Sequence, residues 1–144
     1  LPVRVAVYAA WDSAAAERLV REGPWGGKRY WVVGVKAVSD GALGSRGAWL
    51  TQPYTDDPTH RGHTIVSEDQ LADRATKLLA KDAQLAVHAI GDAAVHAALN
   101  AFERARAAQP DKARVPLRVE HAHPLLQQIL SDVMRLEQLQ ILAA

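Results

Sequence analysis

Apolar and polar residues alternate along this chain with two different periods, and each change of period marks a new element. Residues Val3 to Ala9 place three valines on one face with a period of two, which predicts a β-strand. The stretch Ala14 to Arg21 follows Asp12 and Ser13, either of which can cap a helix. After the loop EGPWGGKRY, the β-branched run YWVVGVKAV predicts a second strand.

The second half of the chain repeats a strand-and-helix alternation. The sequence SEDQ is a capping box that opens a helix from Ser67 to about Lys81. The elements predicted after it are a strand over Gln84 to His88, a helix from Asp92 to about Ala108, a strand over LRVEH, a helix from Pro124 to about Gln138, and a strand that begins at LQILA.

Between the two halves lies a long segment without periodicity, Ser39 to Val66. A loop of this length inside a compact domain is usually functional or disordered. Trp49, Leu50 and Tyr54 argue against disorder. We expect the part from Gly41 to Ile65 to form the wall of an apolar pocket.

The order of elements predicts an α/β fold with parallel strands and helical crossovers. No GxGxxG or GxxxxGK[ST] motif occurs, and the polar residues stand where strands end. Both features favour a (β/α)8 barrel of the TIM type over an open doubly wound sheet. A full barrel needs about 250 residues, so we expect residues 1–144 to be a partial barrel of about four βα units within a single barrel domain. The chain starts with Leu and ends as a strand opens, which suggests a piece of a larger protein.

Composition narrows the range of functions. Hydrophobic residues make up 49% of the 144 positions and the net charge is +1. Basic residues are scattered, which argues against nucleic acid as a partner, and no apolar run reaches the ~18 residues of a membrane span. The absence of cysteine excludes disulfides and thiolate metal ligands. We expect a cytoplasmic protein that forms a homo-oligomer at full length.

Two histidines stand at matching positions in the pattern. His88 and His121 each end an apolar strand, one βα unit apart. Parallel neighbouring strands would direct both imidazoles to the same end of the sheet, as a shared metal ion requires. The alternative is a pair of hydrogen-bonded structural histidines.

Lys36 interrupts the second apolar strand, where a charged side chain is costly to bury. It could lie on an edge strand or pair with Asp40. It could also serve a metal site after reaction with carbon dioxide, because a carbamate is an anionic oxygen ligand that can bridge two ions.

Three blocks carry a family resemblance: GVKAVSDGALGSRGAWLTQPYTDDP, VHAIGDAAVHAALNAFE and LRVEHAH. In order and spacing they resemble the metal-dependent amidohydrolase superfamily, in particular its YtcJ-like branch, amidohydrolase family 3, which includes N-substituted formamide deformylases. The resemblance implies metal ligands at Lys36, as a carboxylated lysine, and at His88 and His121. It also places the loop residues Asp40, Ser45, Arg46 and Trp49 beside the substrate.

The chain also departs from the family pattern. No HxH motif precedes Lys36, and the aspartate that acts as general base is expected beyond Ala144. The resemblance implies that residues 1–144 cover about strands three to seven of a hydrolase barrel domain, without the β-sandwich that flanks such barrels in the family. His123 occupies a position where relatives carry glutamine, so it is not assigned as a ligand.

The resemblance implies a hydrolase of C–N bonds, amides or N-formyl amines, that uses metal-activated water and a small amide-type substrate. One or two divalent ions are expected, zinc by default, with iron, manganese and nickel open. The isolated chain is expected to be inactive, and its unpaired strand edges to favour association. Two alternatives stay open: a non-catalytic α/β module with structural histidines, and a small intact α/β domain with an unrelated activity.

The other polar residues predict no chemistry. His60 and His63 are expected in solvent, and His96 on a helix surface or in packing. Asp92 is expected to cap its helix, with a contact to His88 as a further possibility. Asp56 and Asp57 are expected in turns.

Overall fold

Strands and helices alternate along the chain in the computed structural model, which describes residues 3–121 and 142–143. The strands are β1 (Val5–Ala10), β2 (Trp25–Gly26), β3 (Tyr30–Val38), β4 (Gln84–Ala89), β5 (Leu117–His121) and β6 (Leu142–Ala143). The helices are α1 (Ala14–Glu22), α2 (Glu68–Leu79) and α3 (Asp92–Ala108), and a 3-10 turn covers Pro110–Lys112.

The sheet has the strand order β1-β3-β4-β5-β6, and every neighbouring pair along this path is parallel. The short β2 pairs antiparallel with β3. Within the described residues the sheet stays open along β1 and β6 and does not close on itself. Sequential parallel strands joined by helices are the arrangement of part of a TIM-type barrel, so the predicted fold class is confirmed.

The predicted elements hold for the described residues, with small shifts at their ends. The first strand starts two residues later than predicted, at Val5, and Ser13 is the residue that caps α1. Ser67 and Gln70 form the predicted capping box at the start of α2. The pattern missed β2 and the 3-10 turn. Each has only two or three residues and contains a glycine or a proline, so it is too short to show a period. The helix predicted from Pro124 lies outside the described residues.

The hydrophobic core lies between the helices and one face of the sheet. Alternate strand residues such as Val35, Val87 and Val119 are fully buried, and they cluster with apolar residues of all three helices. Phe102 on α3 is the largest fully buried side chain. Burial on one face of each strand therefore leaves the other face free for different side chains.

The opposite face of the sheet is polar. It carries Tyr8, Lys36, His88 and Glu120, and we call it the inner face because it faces away from the helices. In a barrel of this class, residues on this face and at the carboxyl ends of the strands surround the active site. Within the part of the chain that is described, no helix combines the length and the apolar character needed to cross a bilayer.

Candidate metal centre

The carboxyl ends of β3, β4 and β5 meet at one edge of the sheet. The register pairs Val38 with His88 and His88 with Glu120, so these three side chains share the inner face. Lys36 lies two residues before Val38 and therefore points to the same side. His121 is the last residue of β5. The structure thus brings the three predicted ligand positions, Lys36, His88 and His121, to adjacent strands at the same edge.

His88 and His121 are in direct contact. Their ring centroids lie 4.7 Å apart, and the ring planes meet at 68°. Strand alternation alone would turn His121 away, because its register partner is Ala89, which points into the core. The φ angle of His121 is 76°, a left-handed conformation that few non-glycine residues adopt. This backbone conformation interrupts the alternation of the strand at His121, and the His121 ring contacts His88.

The environment of His88 suits a metal ligand. Its Nε2 atom is buried and has no hydrogen-bond partner among the residues that the structure describes. Burial lowers the pKa of His88 below its ordinary value, and the positive charges of His121 and Lys36 lower it further. The carboxylate of Asp40, 3.7 Å from Nε2, acts in the opposite direction. A neutral imidazole with an unsatisfied buried nitrogen is the form that coordinates divalent ions.

Lys36 forms an ion pair that crosses the inner face. Its Nζ lies 2.7 Å from Oε2 of Glu120, and Arg118 lies 3.4 Å from the other oxygen of the same carboxylate. Burial would raise the pKa of Glu120, but the hydrogen bond and charge of Lys36 outweigh this effect and lower it. The sequence suggested an ion pair between Lys36 and Asp40. In the structure Lys36 pairs with Glu120 instead, a residue to which the sequence assigned no role.

The described residues supply a partial ligand set. Across 3–121 and 142–143, no three or more His, Cys, Asp or Glu side chains are grouped closely enough to hold an ion. The histidine pair fits a divalent metal. Lys36 could join it as a carbamate only after exchanging its contact with Glu120.

Asp40 forms hydrogen bonds inside the protein. Its side chain is fully buried and accepts hydrogen bonds from the backbone N–H groups of Trp49, Ile90 and Gly91 at 2.8–3.0 Å. Through these hydrogen bonds Asp40 joins the loop after β3 to the turn after β4. Its predicted contact with substrate stays a prediction.

The other predicted substrate residues lie in the loop after β3. Ser45 and Arg46 are exposed; Ser45 donates to the carbonyl of Ala42, and Arg46 pairs with Asp56 at 2.8 Å. Trp49 is half-buried and packs against the core. All three therefore have partners within the protein, and their predicted contact with substrate stays a prediction.

Hydrogen bonds within the long segment hold it in one conformation. His60 was expected in solvent, but its ring stacks on Tyr54 at 5.9 Å and its Nε2 lies 2.7 Å from the carbonyl oxygen of Arg46. The Tyr54 hydroxyl donates to the carbonyl of Ala48. His63 is exposed, as predicted. The segment therefore has internal hydrogen bonds and a ring contact of its own.

Asp92 anchors this segment to α3. Its carboxylate accepts hydrogen bonds from the backbone N–H and the hydroxyl of Thr51, and from its own neighbour Ala93. The N-cap residue of α3 is Gly91, one position earlier, so the predicted capping role of Asp92 is corrected. His96 lies half-buried on α3, and His123 lies outside the described residues.

Beside Lys36 the protein has a cleft of about 460 Å³. It opens between the carboxyl ends of β1 and β3. Its lining is mostly apolar and includes Trp11, Val38 and Ile65, and its charged residues are Lys36 and Asp12. The sequence predicted a pocket wall over Gly41 to Ile65, and of that range Ile65 lines this cleft. The other lining residues come from distant parts of the chain, which the local pattern does not bring together.

Comparison with known proteins agrees with this arrangement. The family described as "Amidohydrolase family" matches residues 1–144. The chain is 36% identical to the putative amidohydrolase YtcJ of Bacillus subtilis over 102 residues, which are 71% of this chain and 18% of that protein. It is 37% identical to the protein LONG AFTER FAR-RED 3 of Arabidopsis thaliana over 92 residues, 64% of this chain and 16% of that protein. The chain therefore spans about a fifth or less of these relatives.

Two crystal structures share the fold. One is an uncharacterized metal-dependent hydrolase from Pyrococcus furiosus, with a TM-score of 0.81 and 32% identity over 99% of this chain and 28% of that one. The other is an uncharacterized metal-dependent hydrolase from Pyrococcus horikoshii OT3, with a TM-score of 0.79 and 30% identity over 97% of this chain and 27% of that one.

Proposed function

The chain belongs to the amidohydrolase family, and from this premise we propose that it forms the central part of a metal-dependent hydrolase that cleaves C–N bonds. Amides and N-formyl amines are the substrates that the resemblance of its motifs implies. The structural relatives named for metal-dependent hydrolysis support a divalent ion. Zinc suits two imidazoles, and iron, manganese and nickel bind the same ligand type.

One observation supports this function above the others. The buried Nε2 of His88 has no hydrogen bond within the described part of the chain, and the ring of His121 lies 4.7 Å away, centroid to centroid. A buried polar nitrogen without a hydrogen bond is costly, and a bound cation would satisfy it. Two histidines that served only the structure would be expected to have their ring nitrogens bonded within the protein.

Each residue of the site has a distinct task in this proposal. His88 and His121 would hold one ion, and Lys36, as a carbamate, would contribute an anionic oxygen. When bound, such an ion supplies an activated water and polarises the substrate carbonyl. Asp40 would fix the turn after His88 through Ile90 and Gly91. The general base predicted beyond Ala144 would transfer the proton.

The proposal is tested first by metal binding. Zinc is titrated calorimetrically into the metal-free chain and into the variants His88→Asn and His121→Asn, with His63→Asn as the matched control in an exposed loop. We expect each ligand variant to bind zinc at least about tenfold more weakly, because a coordinate bond is lost, and the control to bind as the parent does. Equal binding by all four proteins would overturn the metal site.

Turnover is tested separately, in a polypeptide extended to the length of the relatives. We expect it to hydrolyse an N-formyl amine, to lose activity on chelation and to regain it with zinc. We expect the 144-residue chain alone to show no turnover with zinc. The two histidines of the family's HxH motif are not in it, and neither is the general base. Turnover by the 144-residue chain would contradict this account of its missing parts.

The second candidate function is a non-catalytic α/β module with structural histidines. It is favoured by the ion pair between Lys36 and Glu120, which occupies the lysine that a two-metal site would use. This alternative predicts no zinc binding by the chain and none by the extended polypeptide. The calorimetric titration therefore separates the two candidates.

A further inference from the structure

The cleft beside Lys36 is distinct from the histidine pair and has a composition of its own. We propose that it binds the apolar substituent of an uncharged amide-type substrate, and that Trp11 is a specificity-determining residue for that substituent. This inference rests on the proposed function, which it deepens by naming the substrate class. A volume of about 460 Å³ lies within the range of about 300–1,000 Å³ that small-molecule sites occupy.

The apolar wall is built from parts of the chain that are distant in sequence. Val38 ends β3 and Ile65 ends the long segment, and their exposed fractions are 42% and 55%. The two are held side by side because the N–H of Ile65 donates to the carbonyl of Ser39 at 2.8 Å. Exposed apolar residues are ordinary when they are scattered, but their convergence with Trp11 on one concavity marks a binding surface.

The ring of Trp11 is held in place by a contact on one of its faces. The guanidinium of Arg74 lies over its ring, with Cζ 4.8 Å from the centroid. Arg74 is in turn 2.9 Å from the carboxylate of Glu17. The indole therefore needs little further ordering when a ligand arrives, and a rigid aromatic wall binds with a small entropic cost.

The charged groups of the cleft define the class of ligand. Lys36 and Asp12 carry opposite charges, so a cationic substituent would meet the lysine and an anionic one the aspartate. An uncharged aromatic or branched alkyl group avoids both costs. Lys36 also lies beside the candidate metal centre, since its Nζ is 2.7 Å from Oε2 of Glu120, the register partner of His88. A group seated in the cleft would therefore leave the attached amide beside that centre.

The test uses the full 144-residue chain with its four tryptophans replaced by 5-fluorotryptophan. The Trp11 resonance in the fluorine NMR spectrum is assigned with the variant Trp11→Phe. N-benzylformamide and N-methylformamide are titrated without added metal. We expect N-benzylformamide to shift the Trp11 signal and to leave that of Trp31 in place, and N-methylformamide to shift neither at the same concentration.

Variants of exposed residues give the matched comparison. We expect Ile65→Gln to weaken N-benzylformamide binding at least about fivefold, and Leu43→Gln, a similar change at an exposed loop residue, to leave it unchanged. No shift at Trp11, equal shifts at Trp11 and Trp31, or full affinity in Ile65→Gln would each overturn the inference.

The metal centre is tested independently of the cleft. The N-benzylformamide titration is carried out without metal and is compared with the zinc titration of the same chain. A Trp11 shift together with a failure of the chain to bind zinc would support the cleft and overturn only the proposed hydrolysis. Zinc binding without a Trp11 shift would overturn the cleft and leave the metal site in place.

Discussion

The imidazole of His88 lies 3.7 Å from the carboxylate of Asp40, which is completely buried. The same carboxylate accepts three backbone N–H groups, from the loop after β3 and from the turn after β4. One acidic side chain thus lies beside a candidate ligand and joins the long segment to the turn that follows that ligand. Coupling of this kind ties the candidate metal centre to the fold around it.

Asp40→Asn is expected to destabilise the chain by about 3 kcal/mol. The amide has one oxygen in place of two, and its NH₂ group would face backbone donors, so at least one buried N–H would lose its acceptor. The free energy of unfolding is measured by urea denaturation. Asp56→Asn is the control, since Asp56 forms an exposed pair with Arg46 and its loss is expected to cost about 0.5 kcal/mol or less. Equal effects of the two substitutions would contradict the role of Asp40.

Gly91→Ala tests the close approach between the β4–α3 turn and the long segment. A Cβ at this position would lie 1.9 Å from the carbonyl oxygen of Trp49, although the φ of −71° suits any residue. The backbone must therefore move, and we expect a loss of about 3 kcal/mol in the free energy of unfolding. Gly44→Ala is the matched control, because nothing lies within 4 Å of its added Cβ, and it should change stability by less than about 0.5 kcal/mol.

His88 is expected to titrate below its ordinary pKa of about 6.5. Burial is the main cause, and the nearby charge of Lys36 adds to it. Because the folded chain disfavours the protonated imidazole, His88 costs stability once the pH falls below about 6.5 and carries no such cost above it. Heteronuclear NMR of the metal-free chain follows the His88 ring signals against pH.

The same titration in Lys36→Met gives the control. Removal of the positive charge should move the pKa of His88 upward, toward its ordinary value. A His88 pKa at or above about 6.5 in the parent chain would contradict the burial seen in the structure. An unchanged pKa in Lys36→Met would show that the two side chains do not interact.

His121→Gly is expected to stabilise the metal-free chain by about 1 kcal/mol and to weaken its binding of zinc. The left-handed backbone at φ 76° costs a non-glycine residue about 1 kcal/mol or more, which glycine avoids. Thermal unfolding and zinc calorimetry measure the two effects. Asp82→Gly is the control: its φ of 58° predicts a similar gain in stability, and it should bind zinc as the parent does. A loss of stability in His121→Gly would contradict strain at this position.

The local pattern of residues predicted much of the fold. The two periods located β1, β3, β4, β5 and the three described helices, because the side of a strand or helix that packs on the core must be apolar. The ends of elements were predicted to within about two residues, and the two-residue β2 was missed, since short pieces carry no period. The segment from Ser39 to Val66 was recognised only by its lack of pattern.

The candidate site was predicted in part. The positions of Lys36, His88 and His121 at strand ends followed from the sequence, and the resemblance to a family gave them roles. The partners of these residues did not follow from it. Lys36 reaches Glu120 across β4, and Asp40 turns inward to Trp49, Ile90 and Gly91.

The sequence by itself determined which elements form and which polar residues end their strands, since both depend on near neighbours along the chain. Only the tertiary structure decided where those side chains point. His121 meets His88 although strand alternation would turn it away, and Trp11 and Ile65 line one cleft although more than fifty residues of chain lie between them. The physical reason is that a side chain's direction depends on a backbone angle and on distant partners, neither of which the local pattern of residues encodes.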